Sequence, residues 1–136
     1  MSARNLQVVR EAYEAGSRED WDAFFSMCHP EFEFETDPRV PNAGVYRGRD
    51  EIRRFMEDQA APFDRTITEP EQLLPSGDQV VALVRVRRRP HGTTAEINLA
   101  IGHLWTIRDG KALRCQAFAE RERALEAAGL SASGGS

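Results

Sequence analysis

Apolar residues recur at helical spacing in the first half of this chain and at strand spacing through most of the second. Over residues 4–16, Leu6, Val9 and Tyr13, joined by Val8 and Ala12, share one helical stripe, and Gly16 suits its C-terminal end. Ser17 is placed to cap a second helix, with Asp20 as its capping-box partner. Trp21, Phe24, Phe25 and Cys28 form that helix's stripe, which His29-Pro30 closes because proline cannot continue it. Residues 31–36 then alternate with period two, a short strand burying Phe32 and Phe34. Pro38, Pro41, Asn42 and Gly44 mark a loop. A third helix over 49–60 carries Ile52, Phe55, Met56 and Gln59 on one side and stops at Pro62.

The remainder reads as strands over 65–74, 79–88, 94–107 and 112–119. The separators are Pro75-Ser76-Gly77-Asp78, Pro90-His91-Gly92 and Asp109-Gly110, and Asp-Gly between alternating runs is a strong hairpin signal. Three successive hairpins predict an antiparallel meander, and a short helix over 120–128 follows, ending at Gly129. The layout is α+β: three N-terminal helices packed on a strongly curved, mainly antiparallel sheet. Long strands that curve around the helices leave a cone between the layers. Residues 131–136 are Ser, Gly and Ala and read as a flexible tail.

Composition narrows the partners. One domain of 136 residues can bury a core without metals or disulfides. A net charge of −4 argues against nucleic acid or an anionic membrane surface as partner. The local run Arg85, Arg87, Arg88, Arg89 lacks interleaved aromatics and reads as a solvated strand end. Cys28 and Cys115 have neither metal spacing nor a disulfide framework, so two reduced thiols are expected. Residues 1–10 are polar and no apolar run approaches a membrane span, so the expected location is the cytoplasm. His29, His91 and His103 share no ligand spacing, and neither a metal nor a cofactor is expected.

Particular residues carry a resemblance. Trp21-Asp22-Ala23-Phe24-Phe25, His29-Pro30-Glu31-Phe32, Tyr46-Arg47-Gly48-Arg49, Ile52-Arg53-Arg54-Phe55 and Gly102-His103-Leu104-Trp105 stand in order, and a closing Arg123-Ala124-Leu125-Glu126 run follows. Together they resemble the SnoaL-like domains of the nuclear transport factor 2-like, or ketosteroid isomerase-like, superfamily. The likeness covers about residues 4–130, within one domain read as 1–130, and implies a cone-shaped α+β barrel. It also implies a homodimer through the outer sheet face, for which Ile97, Leu99, Ile101 and Trp105 are the candidates if the small-residue side of that strand faces inward. Members include ketosteroid isomerases, polyketide cyclases, epoxide hydrolases, dehydratases and non-catalytic binding domains, so the fold leaves the activity open.

Asp37-Pro38 resembles the general base of the isomerases, and an aspartate at a pocket rim can move a proton between two carbons of a bound ketone. The other reading of Asp37 is a loop residue capping its own turn. The isomerases' protonated acid falls on Gly102, beside His103, and their donor tyrosine falls one place from Tyr13. His103 shares a parity with Ile101, Trp105 and Ile107, opposite Asn98, Gly102 and Leu104. Which parity faces the cavity stays open: one places His103 outside, and the other pairs it with Asp37 as an acid–base couple. Catalytic candidates are therefore Asp37, His103 and Tyr13. Phe34, Glu35, Phe55, Asn98, Trp105, Cys115 and Gln116 are candidate substrate-binding residues. The leading expectation is a cofactor-independent acid–base enzyme of isomerase, cyclase or dehydratase type, acting on a hydrophobic carbonyl- or hydroxyl-bearing small molecule. Beside it stands a non-catalytic ligand-binding or dimerisation module.

Overall fold

A computed structural model describes residues 2–40 and 43–130; Met1, Pro41, Asn42 and the tail 131–136 lie outside the described residues. Helices α1 (Ser2–Ser17) and α2 (Trp21–Ser26) lead into strand β1 (Cys28–Glu35), the short strand β2 (Val45–Arg47) and helix α3 (Arg49–Ala60). Strands β3 (Phe63–Ser76), β4 (Gln79–Pro90), β5 (Ile97–Arg108) and β6 (Lys111–Phe118) follow, and α4 (Arg121–Ala127) closes the fold.

The six strands form one sheet in the order β2-β1-β6-β5-β4-β3. The meander from β3 to β6 is antiparallel, as its turn residues require, and Asp109 and Gly110 both take positive φ (54° and 75°) in the last hairpin. In the middle of the sheet β1 lies parallel to β6, with Phe34 opposite Cys115. No period in the sequence announces that pairing.

Local chemistry corrects three boundaries. The cap of α2 is Asp20, whose carboxylate accepts the Ala23 N–H at 3.1 Å, while Ser17 bonds back to the Glu14 carbonyl. His29 and Pro30 open β1 instead of ending the helix, where β1 and β6 shift register and no continuous ladder needs the missing N–H. Residues 45–47, inside the segment read as loop, form β2 against β1.

Both faces of the sheet are covered, and this settles the parity of β5. On the inner face, under α1, α2 and α3, Val80, Ala82, Val84, Trp105, Cys115, Phe32 and Phe34 join Val9, Ala12, Tyr13, Phe24 and Ile52 in the main core. On the outer face a smaller cluster, Val81 and Leu104 with Ala124 and Leu125, seats α4. Gly102 is small because α4 crosses it: a Cβ there would stand 2.6 Å from the Ala124 Cβ. The large-residue parity therefore faces inward without any bulge at Gly102. Ile101 and Trp105 leave the set proposed for an outer dimer face, and Ile97 and Leu99 share their inner parity.

Candidate functional site

Beyond Gly102, β5 runs past the end of β6, and residues 97–100 are exposed. This end of the sheet gathers the C-terminal ends of β1 and β6 and the N-terminal end of β5. From it, the inner face descends through Ile97, Leu99 and Ile101 to His103 and then to Trp105. Ile97 and Leu99 are 39% and 40% exposed, two of the three large hydrophobics that the described residues leave open to solvent.

His103 is half-buried where the open end meets the core. Its Nδ1 lies 2.5 Å from the Tyr13 hydroxyl, brought over by α1, and the Trp105 indole N–H donates to that hydroxyl at 3.0 Å. The Tyr13 and His103 rings are parallel, 5.9 Å between centroids. Trp105 meets Tyr13 edge-on at 5.5 Å, and Phe32 stacks on Trp105 at 6.3 Å. Phe34 stands edge-on to His103 at 6.5 Å, and Phe55 bridges Phe34 and Tyr46 at 5.6 and 4.3 Å. Burial pushes the His103 pKa down to about 4, so the ring is neutral at pH 7. Burial likewise holds the Tyr13 phenol well above its ordinary range. The other His103 nitrogen, Nε2, has no partner among the described residues. It is also absent from the fully sealed, unpartnered polar atoms, which are all arginine Nε, and so it is not closed off from solvent.

Asp37 sits near the same end of the sheet but on the outer side, where it joins the β1–β2 loop to α4. It is 3% exposed. Oδ2 accepts the Ala119 N–H at 2.8 Å and Arg123 Nη1 at 3.0 Å; Oδ1 accepts the Arg39 N–H at 3.0 Å and Arg39 Nε at 3.4 Å. Burial alone would raise its pKa, but these donors outweigh burial and hold the carboxyl well below the usual range. A carboxylate held by these donors is a weak proton acceptor, and it is turned away from His103. The expectation of Asp37 as a general base paired with His103 is corrected on that ground.

Three further candidates lie on the outer face. Glu35 pairs with Arg114 and accepts from Gln116, and Asn98 accepts from Arg85 at 3.0 Å. Their polar atoms are bound to neighbours away from the cone, so Glu35, Asn98 and Gln116 do not meet the inner site. Phe34, Phe55, Trp105, Tyr13 and His103 do come together. Cys115 is on the inner face but 1% exposed, its thiol raised by burial, beneath Trp105 in the ladder. Tyr46, Ile101 and Ala117 were not anticipated. Tyr46 follows from β2, opposite Phe34, and the other two from the inner parity of β5 and β6.

Two surface hollows lie elsewhere. One of about 320 Å³ is lined by Glu69, Pro70, Glu71, Arg85, Arg87 and Asn98, the other, of about 610 Å³, by Arg47, Arg49 and Arg54 with Gly48, Asp50 and Glu51. Glu69, Glu71, Arg85 and Arg87 in the first are already spent on one another. Among the described residues no three His, Cys, Asp or Glu side chains converge on a metal position, and no helix is long and apolar enough to cross a membrane.

Against known proteins, the family model described as a SnoaL-like domain matches residues 9–115. An uncharacterized protein of Mycobacterium tuberculosis, Rv0034, is 31% identical over 116 residues, covering 84% of this chain and 87% of its own. Among solved structures, TerC co-crystallized with polyporic acid superposes with a TM-score of 0.76 at 22% identity, covering 85% of this chain and 90% of TerC. Rv0760c of Mycobacterium tuberculosis, in complex with estradiol-17beta-hemisuccinate, superposes at 0.71 with 12% identity, covering 84% and 92%.

Proposed function

The chain belongs to the SnoaL-like domain family, and from that premise we propose that it binds a hydrophobic small molecule at the open end of the inner face, with His103 as the polar anchor. The observation that carries this reading is the Nε2 of His103, not sealed and without a partner among the described residues, on a surface otherwise built from Phe34, Phe55, Ile101 and Ala117. Apolar walls with very few convergent polar groups are the usual composition of a ligand site. Exposed Ile97 and Leu99 extend the apolar surface outward from it. Two structural neighbours, TerC and Rv0760c, are seen with small organic molecules, which supports the same class of partner. The test is an NMR titration with a naphthyl ketone. Amide shifts should concentrate at Phe34, Phe55, Ile101 and Ala117, and His103→Ala should weaken binding by roughly three- to tenfold, the worth of one hydrogen bond. Shifts centred on Arg85 and Asn98, or an affinity indifferent to His103, would remove the reading.

A second reading, acid–base catalysis of the isomerase, cyclase or dehydratase type, is favoured by the Tyr13–His103 hydrogen bond, a coupled pair at the ligand end of the core. Against full proton transfer stands the chemistry of both partners: a ring titrating near 4 is a weak base at pH 7, and a phenol raised above its ordinary range is a weak acid. Deuterium uptake at the α-carbon of an enolisable ketone, abolished in Tyr13→Phe, would establish this reading; wild type no faster than buffer would exclude it.

A further inference from the structure

The direction of the hydrogen bonds behind His103 selects the ligand. Indole Nε1–H can only donate, so in the 3.0 Å contact the Tyr13 oxygen is the acceptor. The phenol keeps one proton to place, and its other partner is His103 Nδ1 at 2.5 Å. Were Nδ1 protonated, the Tyr13 oxygen would accept twice, and its own proton would have no acceptor among the described residues. Tyr13 is 9% exposed, so water offers little relief. An unmade bond at such a group disfavours that arrangement by roughly 5- to 150-fold. The phenol therefore donates to Nδ1, and in a neutral imidazole the remaining proton sits on Nε2.

We propose that Trp105 and Tyr13 are positioning residues that lock His103 as its Nε2–H tautomer, so that the site presents one donor and takes hydrophobic ligands through an acceptor oxygen, a carbonyl in particular, while rejecting protonated amines. This rests on the ligand-binding reading above and narrows it. A carbonyl receives the N–H along a lone pair. An ammonium would place N–H against N–H, on an inner face to which Asp37, Glu33 and Glu35 offer no compensating charge because all three are engaged on the outer side. The low basicity of the buried ring keeps the arrangement constant through neutral pH. The hydroxyl-bearing ligands expected from sequence are admitted only through an oxygen lone pair.

The experiment uses the full chain, labelled with nitrogen-15, and has two readouts. Long-range proton–nitrogen correlations of the imidazoles report the tautomer directly, with His103→Gln assigning the signal. Wild type at pH 7 should show His103 protonated at Nε2, and Tyr13→Phe, which keeps the ring but removes the hydroxyl, should show mixed tautomers. Acetylnaphthalene and naphthylethylamine, near-equal in apolar body, supply the second readout. Wild type should prefer the ketone by roughly tenfold or more, and Tyr13→Phe should narrow that preference to about threefold or less. An Nδ1–H pattern in wild type overturns the lock, and it does so whether or not any variant folds. An unchanged tautomer and ketone preference in Tyr13→Phe overturns the positioning role. If neither probe shifts the inner face, the ligand-binding reading fails and takes the ligand assignment with it. The tautomer spectrum still decides the lock on its own.

Discussion

Asp37 on the outer side and His103 on the inner side of the same sheet end are both polar groups drawn in from solvent, yet they are opposites in hydrogen-bonding valence. Asp37 meets two backbone N–H groups and two guanidinium groups, and nothing in its chemistry is left over. His103 has one nitrogen tied to Tyr13 and one without a partner among the described residues. The outer face is rich in such closed accounts: Glu33 with Arg47, Glu35 with Arg114, Glu69 with Arg87 and Glu71 with Arg121. A count of charged residues would therefore point to the outer face as the site. Unspent hydrogen-bonding capacity points to the inner one.

The comparison breaks most visibly through stability. Asp37→Ala should cost about 3 kcal/mol in urea denaturation, at the low end for a broken buried pair, because Arg39 and Arg123 can still reach water. Ketone affinity per folded molecule should not change. An Asp37→Ala protein of native stability would mean that the four donors hold nothing, and a selective loss of ketone binding would return Asp37 to the site.

The two groups also titrate in separate windows. Unfolded His103 takes up a proton near 6.5 and the native ring only near 4, so stability is complete above 6.5 and declines as the pH falls through that interval. The decline between pH 7 and pH 5 should be about 2 kcal/mol, and His103→Gln should flatten it. For Asp37 the shift is downward: its contribution is present above the unfolded value of 3.8 and is lost as the pH falls below it. Asp37→Asn should leave the upper window intact and remove part of the lower loss. Equal flattening by both variants would show the faces to be coupled.

A smaller effect isolates α4. Gly102→Ala should destabilise by about 1–2 kcal/mol, since the new methyl meets Ala124 and the Arg121 backbone. Amide shifts should gather on α4 and the outer cluster of Val81 and Leu104. Shifts at Tyr13 and Trp105 instead would mean that Gly102 faces the cone.

Much of the architecture was legible because turns and periods are local. Asp109-Gly110, Gly48 before α3 and the stripe of Ile52 and Phe55 all announce themselves within a few residues. Tyr13, His103, Phe34 and Phe55 stood out in the sequence, and the structure brings the four together. What stayed hidden depends on partners far along the chain. The role of Asp37 is decided by Ala119 and Arg123. Alternation in β5 separates two faces without naming the inner one, and here both are apolar because α4 covers the second. Gly102 reads as a small residue facing a pocket until Ala124 is seen above it. Residues 45–47 carry too short a period to mark β2.

The parallel seam between β1 and β6 has a consequence for the birth of the molecule. Strand β1 is made well before its seam partner β6, with β2 to β5 between them, so Phe32 and Phe34 must wait for that intervening chain before the edge is closed. During that wait β1 can pair only with three-residue β2, and its other edge is open to any passing strand. The seam therefore adds to the long-range closures that slow folding, and β1 stays exposed to aggregation in the interval before β6 emerges.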